Sequence, residues 1–331
     1  MISTPPSTAP EALQVGPPPP FDPELAPALA RLAKMPPLTA EMIPAMRGAR
    51  PAPPSIDDLR RGGVFAVEER SVPGPAGAPD VLLLICRPAA VEQPTAAVYY
   101  VHGGAMVLGD ARSELGWVLD TAQELGLTVM SVEYRLAPET QHPGPVEDVY
   151  AGLTWAADHA EELGIDPARI VVAGGSAGGG LTAAVALLAR DRGGPRIAVS
   201  LLNSPMLDER NDSVSAFQML GSPFDRTAGD TGWTALLGDA RGGPDVSPYA
   251  SPSLATDVSG LPPTFIDVGS AETLRDEDVQ YATRLWQAGG EAELHVWQGA
   301  CHGFHLFAPD ARISQEARAA RTGWLRRLLA R

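Results

Sequence analysis
Apolar positions in this chain change their period part-way along, and that change predicts the fold. Between residues 64 and 134, runs rich in Val, Leu, Ile and Tyr at 64–69, 81–87, 96–101 and 128–134 are each bounded by Gly, Pro or Asp, the pattern of β-strands. Beyond Tyr134, strand-length runs at 169–173, 197–203, 264–268 and 292–297 alternate with stretches of helical period at 146–163, 177–190, 276–288 and 313–329. Parallel neighbours need a long return connection, usually a helix. The alternation therefore predicts βαβ crossovers and a mostly parallel sheet, an α/β fold.

Two stretches break this rhythm. The N-terminal one is proline-rich, with an unbroken run from Pro17 to Pro20, and carries short helical candidates at 23–34 and 39–47; it reads as a helical arm. The other, 206–252, is polar, punctuated by Gly and Pro, and contains Phe217, Met219, Phe224 and Trp233. It reads as an insertion that covers something. The chain thus divides into an arm (1–55), a first part of the α/β body (56–205), the insertion (206–252) and a second part of the body (253–331).

Composition narrows the partners. A length of 331 residues suits one large α/β domain or two small ones. A formal net charge of −15, with no cluster of Lys or Arg to offset it, repels phosphate backbones and anionic lipid, which excludes nucleic acid as the expected partner. The longest apolar runs, such as 81–86 and 170–173, are far short of the roughly 20 residues of a membrane span. Met1-Ile2-Ser3-Thr4-Pro5-Pro6 lacks the basic and apolar segments of a secretory signal, so a cytoplasmic location is expected. The two cysteines, Cys86 and Cys301, have neither the number nor the spacing of a metal site or a disulfide scaffold, and free thiols are expected.

Candidate chemistry begins at Gly174-Gly175-Ser176-Ala177-Gly178-Gly179-Gly180, between the strand at 169–173 and an apolar helix. A nucleophile elbow needs this context: a sharp strand-to-helix turn strains the serine backbone, presents its hydroxyl at a helix N-terminus, and needs glycines for close packing. The Ala177 N–H and the helix dipole would then stabilise developing negative charge. A phosphate-binding turn is the competing reading. The P-loop form fails because no Lys follows, and a dinucleotide fingerprint would follow the first strand rather than one in mid-chain.

Further donors for an oxyanion are offered upstream by Tyr99-Tyr100-Val101-His102-Gly103-Gly104-Ala105, where a strand runs into a loop. The N–H groups of Gly103, Gly104 and Ala105 are candidates, each loss costing about 3 kcal/mol in well-studied hydrolases. His102 is expected to organise the loop rather than to act as a base. The base should follow the last strand, which selects His302 over its neighbour His305; His295 lies inside a strand, and His142 and His159 belong to the middle of the chain. The acid should follow the preceding strand. Glu272, nearest the strand end, is the expected member; Asp276 is the alternative, although its place better suits a cap of the following helix, and Glu277 and Asp278 read as a solvated charge run.

Taken together these residues resemble the bacterial hormone-sensitive-lipase-like carboxylesterases, a branch of the α/β-hydrolases. The resemblance runs from about Val81 to the C-terminus through His102-Gly103-Gly104-Ala105, Glu133-Tyr134-Arg135-Leu136-Ala137-Pro138-Glu139, Pro143 to Trp155, Gly174 to Gly179, Ser204-Pro205, Leu261-Pro262-Pro263, Glu272 to Asp276 and His302-Gly303-Phe304. It implies an eight-stranded, mostly parallel sheet under a helical cap, built from the arm and the insertion over a pocket for short acyl chains. Phe21, Met35, Met42, Met46, Phe217, Met219, Phe224 and Trp233 are candidate cap contacts. The implied activity is ester hydrolysis through an acyl-enzyme on Ser176, His302 and Glu272, with a small-molecule ester as the partner, no metal or cofactor, and room for a homo-oligomer. Three residues depart from the usual pattern: Ala105 for a third glycine, Gly175 for Asp or Thr, and Glu272 for Asp. Two other readings use the same residues: an amidase or acyltransferase, and a small-molecule receptor like the plant gibberellin receptors, which lack the working histidine.

Overall fold
The strands β1 (Phe65–Val72), β2 (Val81–Pro88), β3 (Thr95–Val101), β4 (Thr128–Glu133), β5 (Ile165–Gly175), β6 (Val199–Asn203), β7 (Thr264–Gly269) and β8 (Ala292–Trp297) form one sheet in the order β1-β2-β4-β3-β5-β6-β7-β8. The computed structural model describes residues 15–49, 52–92 and 94–330, so the N-terminal hexapeptide read for a signal, and the start of the arm, lie outside the described residues. Only β2 runs against its neighbours, pairing antiparallel with β1 and β4, while every pair from β4 through β3 to β8 is parallel. The expected eight-stranded, mostly parallel sheet is therefore present.

Helices α1 (Ala26–Leu32), α2 (Ile43–Gly48) and α3 (Ile56–Arg60) precede the sheet, and α4 (Leu115–Leu125) joins β3 to β4. Next come α5 (Gly144–Asp158) and α6 (Ala160–Leu163) before β5, α7 (Ala177–Arg192) after it, and α8 (Val214–Gln218) and α9 (Arg226–Leu237) between β6 and β7. Finally, α10 (Arg275–Gln287) joins β7 to β8, and α11 (Phe304–Phe307) and α12 (Arg312–Leu329) follow. Among the described residues no helix is long and apolar enough to cross a membrane.

Alternation along the central strands builds two cores. In β3, Ala97, Tyr99 and Val101 face one side with Val146, Val149 and Leu153 of α5 and Leu181, Val185 and Leu188 of α7. Ala96, Val98 and Tyr100 face the other with Leu115 and Val118 of α4 and Trp324 and Leu325 of α12. Because successive side chains of a strand point to opposite faces, a strand buried on both sides is apolar throughout, and β3 is buried at every position. Each fully buried aliphatic side chain contributes about 1.5–3 kcal/mol of transfer free energy. Tyr99 can join such a core because its hydroxyl donates to the Val149 carbonyl at 2.9 Å. Both cysteines are free and buried, and burial pushes their thiols up to about 12.

Strand order reverses between β3 and β5, since β4 lies on one side of β3 and β5 on the other. Ligands of open α/β sheets bind at such a switch point, beyond the carboxyl ends of the strands. The loop after β3 and the turn after β5 meet there.

Candidate active site
Ser176 is held in a backbone conformation that few residues adopt, with φ 55° and ψ −122°, between β5 and α7. Strain of this kind costs about 1–3 kcal/mol and persists only where the surroundings over-determine it. Here the Ser176 N–H donates to the Asn203 carbonyl at 2.8 Å, and its own carbonyl accepts from Gly180 and Met206 at 3.0 Å. A Cβ at Gly178 would lie 2.0 Å from the Val101 carbonyl, so the glycine lets α7 start directly under the end of β3.

His302 comes from the loop after β8. Its Nε2 lies 3.0 Å from Ser176 Oγ, and its Nδ1 lies 2.5 Å from Glu272 Oε1. Glu272, buried in the loop after β7, is itself fixed: its Oε2 accepts from the Ser204 hydroxyl at 3.0 Å and the Gly269 N–H at 3.1 Å, which leaves Oε1 aimed at the imidazole. Phe224, from the stretch between β6 and β7, stacks on the His302 ring with centroids 4.2 Å apart.

Asp276 does not join this chain of hydrogen bonds. Its carboxylate accepts from the Ser215 N–H at 2.8 Å and from Arg275 Nε at 2.8 Å, so it serves the start of α8 rather than the histidine or the helix that follows it. Glu277 and Asp278 are not solvated as the charge run suggests; both are buried. Glu277 accepts from the Leu207 and Asp208 N–H groups at 2.8 and 3.3 Å, and burial raises both carboxyls well above their ordinary range. His305 is buried against Trp117 and Phe304, and burial drives it well below the usual imidazole range. His295 stacks between Phe265 and Trp297.

The loop after β3 is organised peptide by peptide. At the His102–Gly103 peptide, the Tyr134 hydroxyl donates to the His102 carbonyl at 2.8 Å, and the Gly103 N–H donates to Glu114 Oε2 at 3.3 Å. The Gly103 N–H, expected to face a substrate carbonyl, is thus turned onto a carboxylate instead. At the next peptide, His102 Nδ1–H donates to the Gly103 carbonyl at 2.8 Å. A trans peptide points its N–H opposite to its carbonyl, so the Gly104 N–H is directed away from the His102 ring. Ala105 and Met106 then take φ of 53° and 65°, the left-handed region in which a side chain is strained. Among the described residues the N–H groups of Gly104, Ala105 and Ala177 donate to no protein acceptor.

Two cavities open beside these residues. The larger, about 370 Å³, is lined by Met35, Met46, Leu108, Phe224 and Ala228 together with Gly104, Ala105 and His302. The smaller, about 150 Å³, contains Ser176, Glu114, Asn203 and His305. Of the expected cap contacts, Met35, Met46 and Phe224 line the larger cavity and the rest do not; Met219 and Trp233 are buried in packing. Glu114 is the site residue that the sequence reading missed. It belongs to no motif, and only the folded loop brings it under Gly103.

A mostly parallel eight-stranded sheet, with a glycine-flanked serine at the turn after its fifth strand and a histidine after its eighth, is the architecture of the α/β-hydrolases. Comparison with known proteins agrees: residues 98–306 match the model of a family described as having the alpha/beta hydrolase fold. The carboxylesterase NlhH of Mycobacterium tuberculosis (strain CDC 1551 / Oshkosh) is 36% identical over 270 residues, covering 80% of this chain and 83% of that protein. The carboxylic ester hydrolase LipN of Mycobacterium tuberculosis (strain ATCC 25618 / H37Rv) is 38% identical over 245 residues, covering 72% of this chain but 64% of the relative's length. Among solved structures, a bacterial heroin esterase superposes with a TM-score of 0.85 at 40% identity, covering 93% of this chain and 98% of that one. Esterase LipW from Mycobacterium marinum gives 0.80 at 33%, covering 93% and 96%. The chain belongs to the α/β-hydrolase fold family, in its hormone-sensitive-lipase-like branch.

Proposed function
We propose that this protein is a serine carboxylesterase that hydrolyses short-to-medium acyl esters through an acyl-enzyme on Ser176. The observation that carries the reading is the unbroken hydrogen-bond chain from Ser176 Oγ through His302 to Glu272, at 3.0 and 2.5 Å. Ser176 Oγ attacks the acyl carbon while His302 Nε2 takes its proton, and the same proton then passes to the departing alcohol. Water attacks the acyl-enzyme with His302 again as base, releasing the acid and restoring the serine. Glu272 holds the Nδ1–H tautomer and stabilises the imidazolium formed in each half-reaction. The N–H groups of Gly104, Ala105 and Ala177, the last at the start of α7, stabilise the tetrahedral oxyanion.

The body comprises 56–205 and 253–331 in this reading, and the cap comprises the arm (1–55) and the insertion (206–252). Support comes from the larger cavity, whose walls are contributed by both segments, and from the Thr231 hydroxyl, which donates to the Leu38 carbonyl between them at 2.9 Å. The ester hydrolases among the relatives support the same class of substrate.

Purified protein assayed on p-nitrophenyl esters from acetate to laurate, beside matched p-nitroanilides, tests this. The expected result is turnover of the shorter esters, abolished in Ser176→Ala, with anilides cleaved far more slowly. Faster anilide turnover would make the protein an amidase, and ester turnover unaltered in Ser176→Ala would remove the nucleophile.

A further inference from the structure
Glu114 has a strained backbone and a side chain that reaches back under the catalytic loop. Its φ is 63°, in the left-handed region, directly before α4, where it makes no side-chain cap to that helix. A non-glycine residue kept there needs a reason outside the helix. Its carboxylate lies instead against β3 and the loop after it: Oε2 accepts from the Tyr100 hydroxyl at 2.9 Å and from the Gly103 N–H at 3.3 Å. Tyr100 is fully buried, and burial, reinforced by the nearby Glu114 carboxylate, raises its phenol well above the usual range, so it remains a donor.

We infer that Glu114 is a positioning residue for the oxyanion-stabilising loop, acting through the Gly103 N–H; the inference rests on the esterase reading above. The His102–Gly103 peptide is clamped on its carbonyl by Tyr134 and on its N–H by Glu114. The following peptide is clamped on its carbonyl by His102. With both planes fixed, the Gly104 N–H is aimed before substrate arrives, and the Ala105 N–H follows on a peptide whose Gly104 carbonyl accepts from the Val107 and Leu108 N–H groups at 3.0 and 2.8 Å. Such preorganisation is where oxyanion stabilisation gets its strength, because donors that must reorient lose part of it. A carboxylate is a stronger acceptor for this purpose than a neutral oxygen.

The space beside this carboxylate provides an internal control. A Cβ at Gly175 would lie 3.5 Å from Glu114 Oε2 and 3.5 Å from Asn203 Oδ1, both ordinary contacts, so a side chain at 175 can reach the same place. The experiment compares Glu114→Ala, Glu114→Gln and Glu114→Ala with Gly175→Asp. It measures kcat, KM and the Ki of a trifluoromethyl ketone, whose hemiketal oxyanion occupies the donor site. Expected for Glu114→Ala is a loss of about tenfold or more in kcat, with KM within about threefold and Ki weakened in parallel. Glu114→Gln, which keeps an acceptor oxygen, should lose less, and Gly175→Asp should restore part of the loss in the Ala background.

Unchanged kcat and Ki in Glu114→Ala, or a change in KM alone, would overturn the inference. So would equal losses in Glu114→Ala and Glu114→Gln with no rescue by Gly175→Asp. An amide-resonance readout separates this from failure of the esterase reading. If wild-type protein cleaves no ester, the Gly103 N–H signal still reports the clamp: an upfield shift and lost exchange protection in Glu114→Ala support it, and an unmoved signal refutes it.

Discussion

At the scale of single residues, the division of labour between two nearby carboxylates can be tested by removing each charge. Glu272 Oε1 lies 2.5 Å from His302 Nδ1, whereas both oxygens of Asp276 are engaged by Ser215 and Arg275. Glu272→Gln should lower kcat by about four orders of magnitude through loss of the correct tautomer and of imidazolium stabilisation. Asp276→Asn should leave kcat within about threefold and lower thermal stability slightly, because it weakens a bond to a helix start. Steady-state kinetics and melting curves on the two variants check both halves, and the reverse ranking would reassign the acid. The triad candidates were legible in the sequence because each sits at the end of its own strand, a position that chain order alone reveals. Glu114 was not, since its role depends on a backbone reversal before α4. The buried Glu277 and Asp278 were misread because a charge run carries no record of which face of α10 is covered.

Elements were read with similar unevenness. The central strands stood out because both faces of the sheet are covered, which makes the runs continuously apolar. No helix was expected between β3 and β4, yet α4 lies there with Leu115, Val118, Leu119 and Ala122 at helical spacing; its start lacks a side-chain cap, so the usual boundary signal is missing. The stretch read as one helix over 146–163 is two, broken at His159, whose Nδ1 hydrogen-bonds the Trp155 carbonyl at 2.9 Å. For the arm the decisive residue is Arg47 of α2. Its guanidinium donates to the Val107 carbonyl at 2.8 Å and the Ala137 carbonyl at 2.7 Å, besides pairing with Glu139. Glu139 is largely exposed, so the ion pair contributes at most about 1 kcal/mol, while the two part-buried carbonyl bonds contribute more. Arg47→Ala should therefore loosen the arm and raise KM for esters that fill the larger cavity by about threefold or more, whereas Glu139→Ala should do little. Limited proteolysis of the arm alongside the kinetics distinguishes them.

Across the whole molecule, the site is tied to the far end of the chain through a buried ion pair. Arg321 of α12 donates from Nε to Asp267 Oδ2 at 2.9 Å, with Nη2 2.8 Å from the same oxygen, and both side chains are fully buried. Asp267, in β7, also accepts from Trp297 Nε1 at 3.0 Å and from Asn203 Nδ2 at 2.8 Å, while its carbonyl accepts from the Ser204 N–H at 2.7 Å. The Asn203 carbonyl receives the Ser176 N–H, and Ser204 holds Glu272, so Asp267 braces the serine turn through its carboxylate and the acid through its backbone carbonyl. The net worth of a buried pair is small because desolvation offsets attraction, but removing one partner strands the other. Arg321→Met should accordingly destabilise the protein by about 3–5 kcal/mol, and adding Asp267→Asn should recover a large part of that loss. Recovery of stability need not restore activity: the Asn side chain presents one oxygen where the carboxylate presents two, so one of the two remaining side-chain donors, Trp297 or Asn203, loses its acceptor. Denaturant unfolding of the single and double variants, read beside kcat, separates the two effects. A double variant as unstable as Arg321→Met would mean that the arginine acts through its packing on Trp117, 5.1 Å from the ring centre, rather than through its charge.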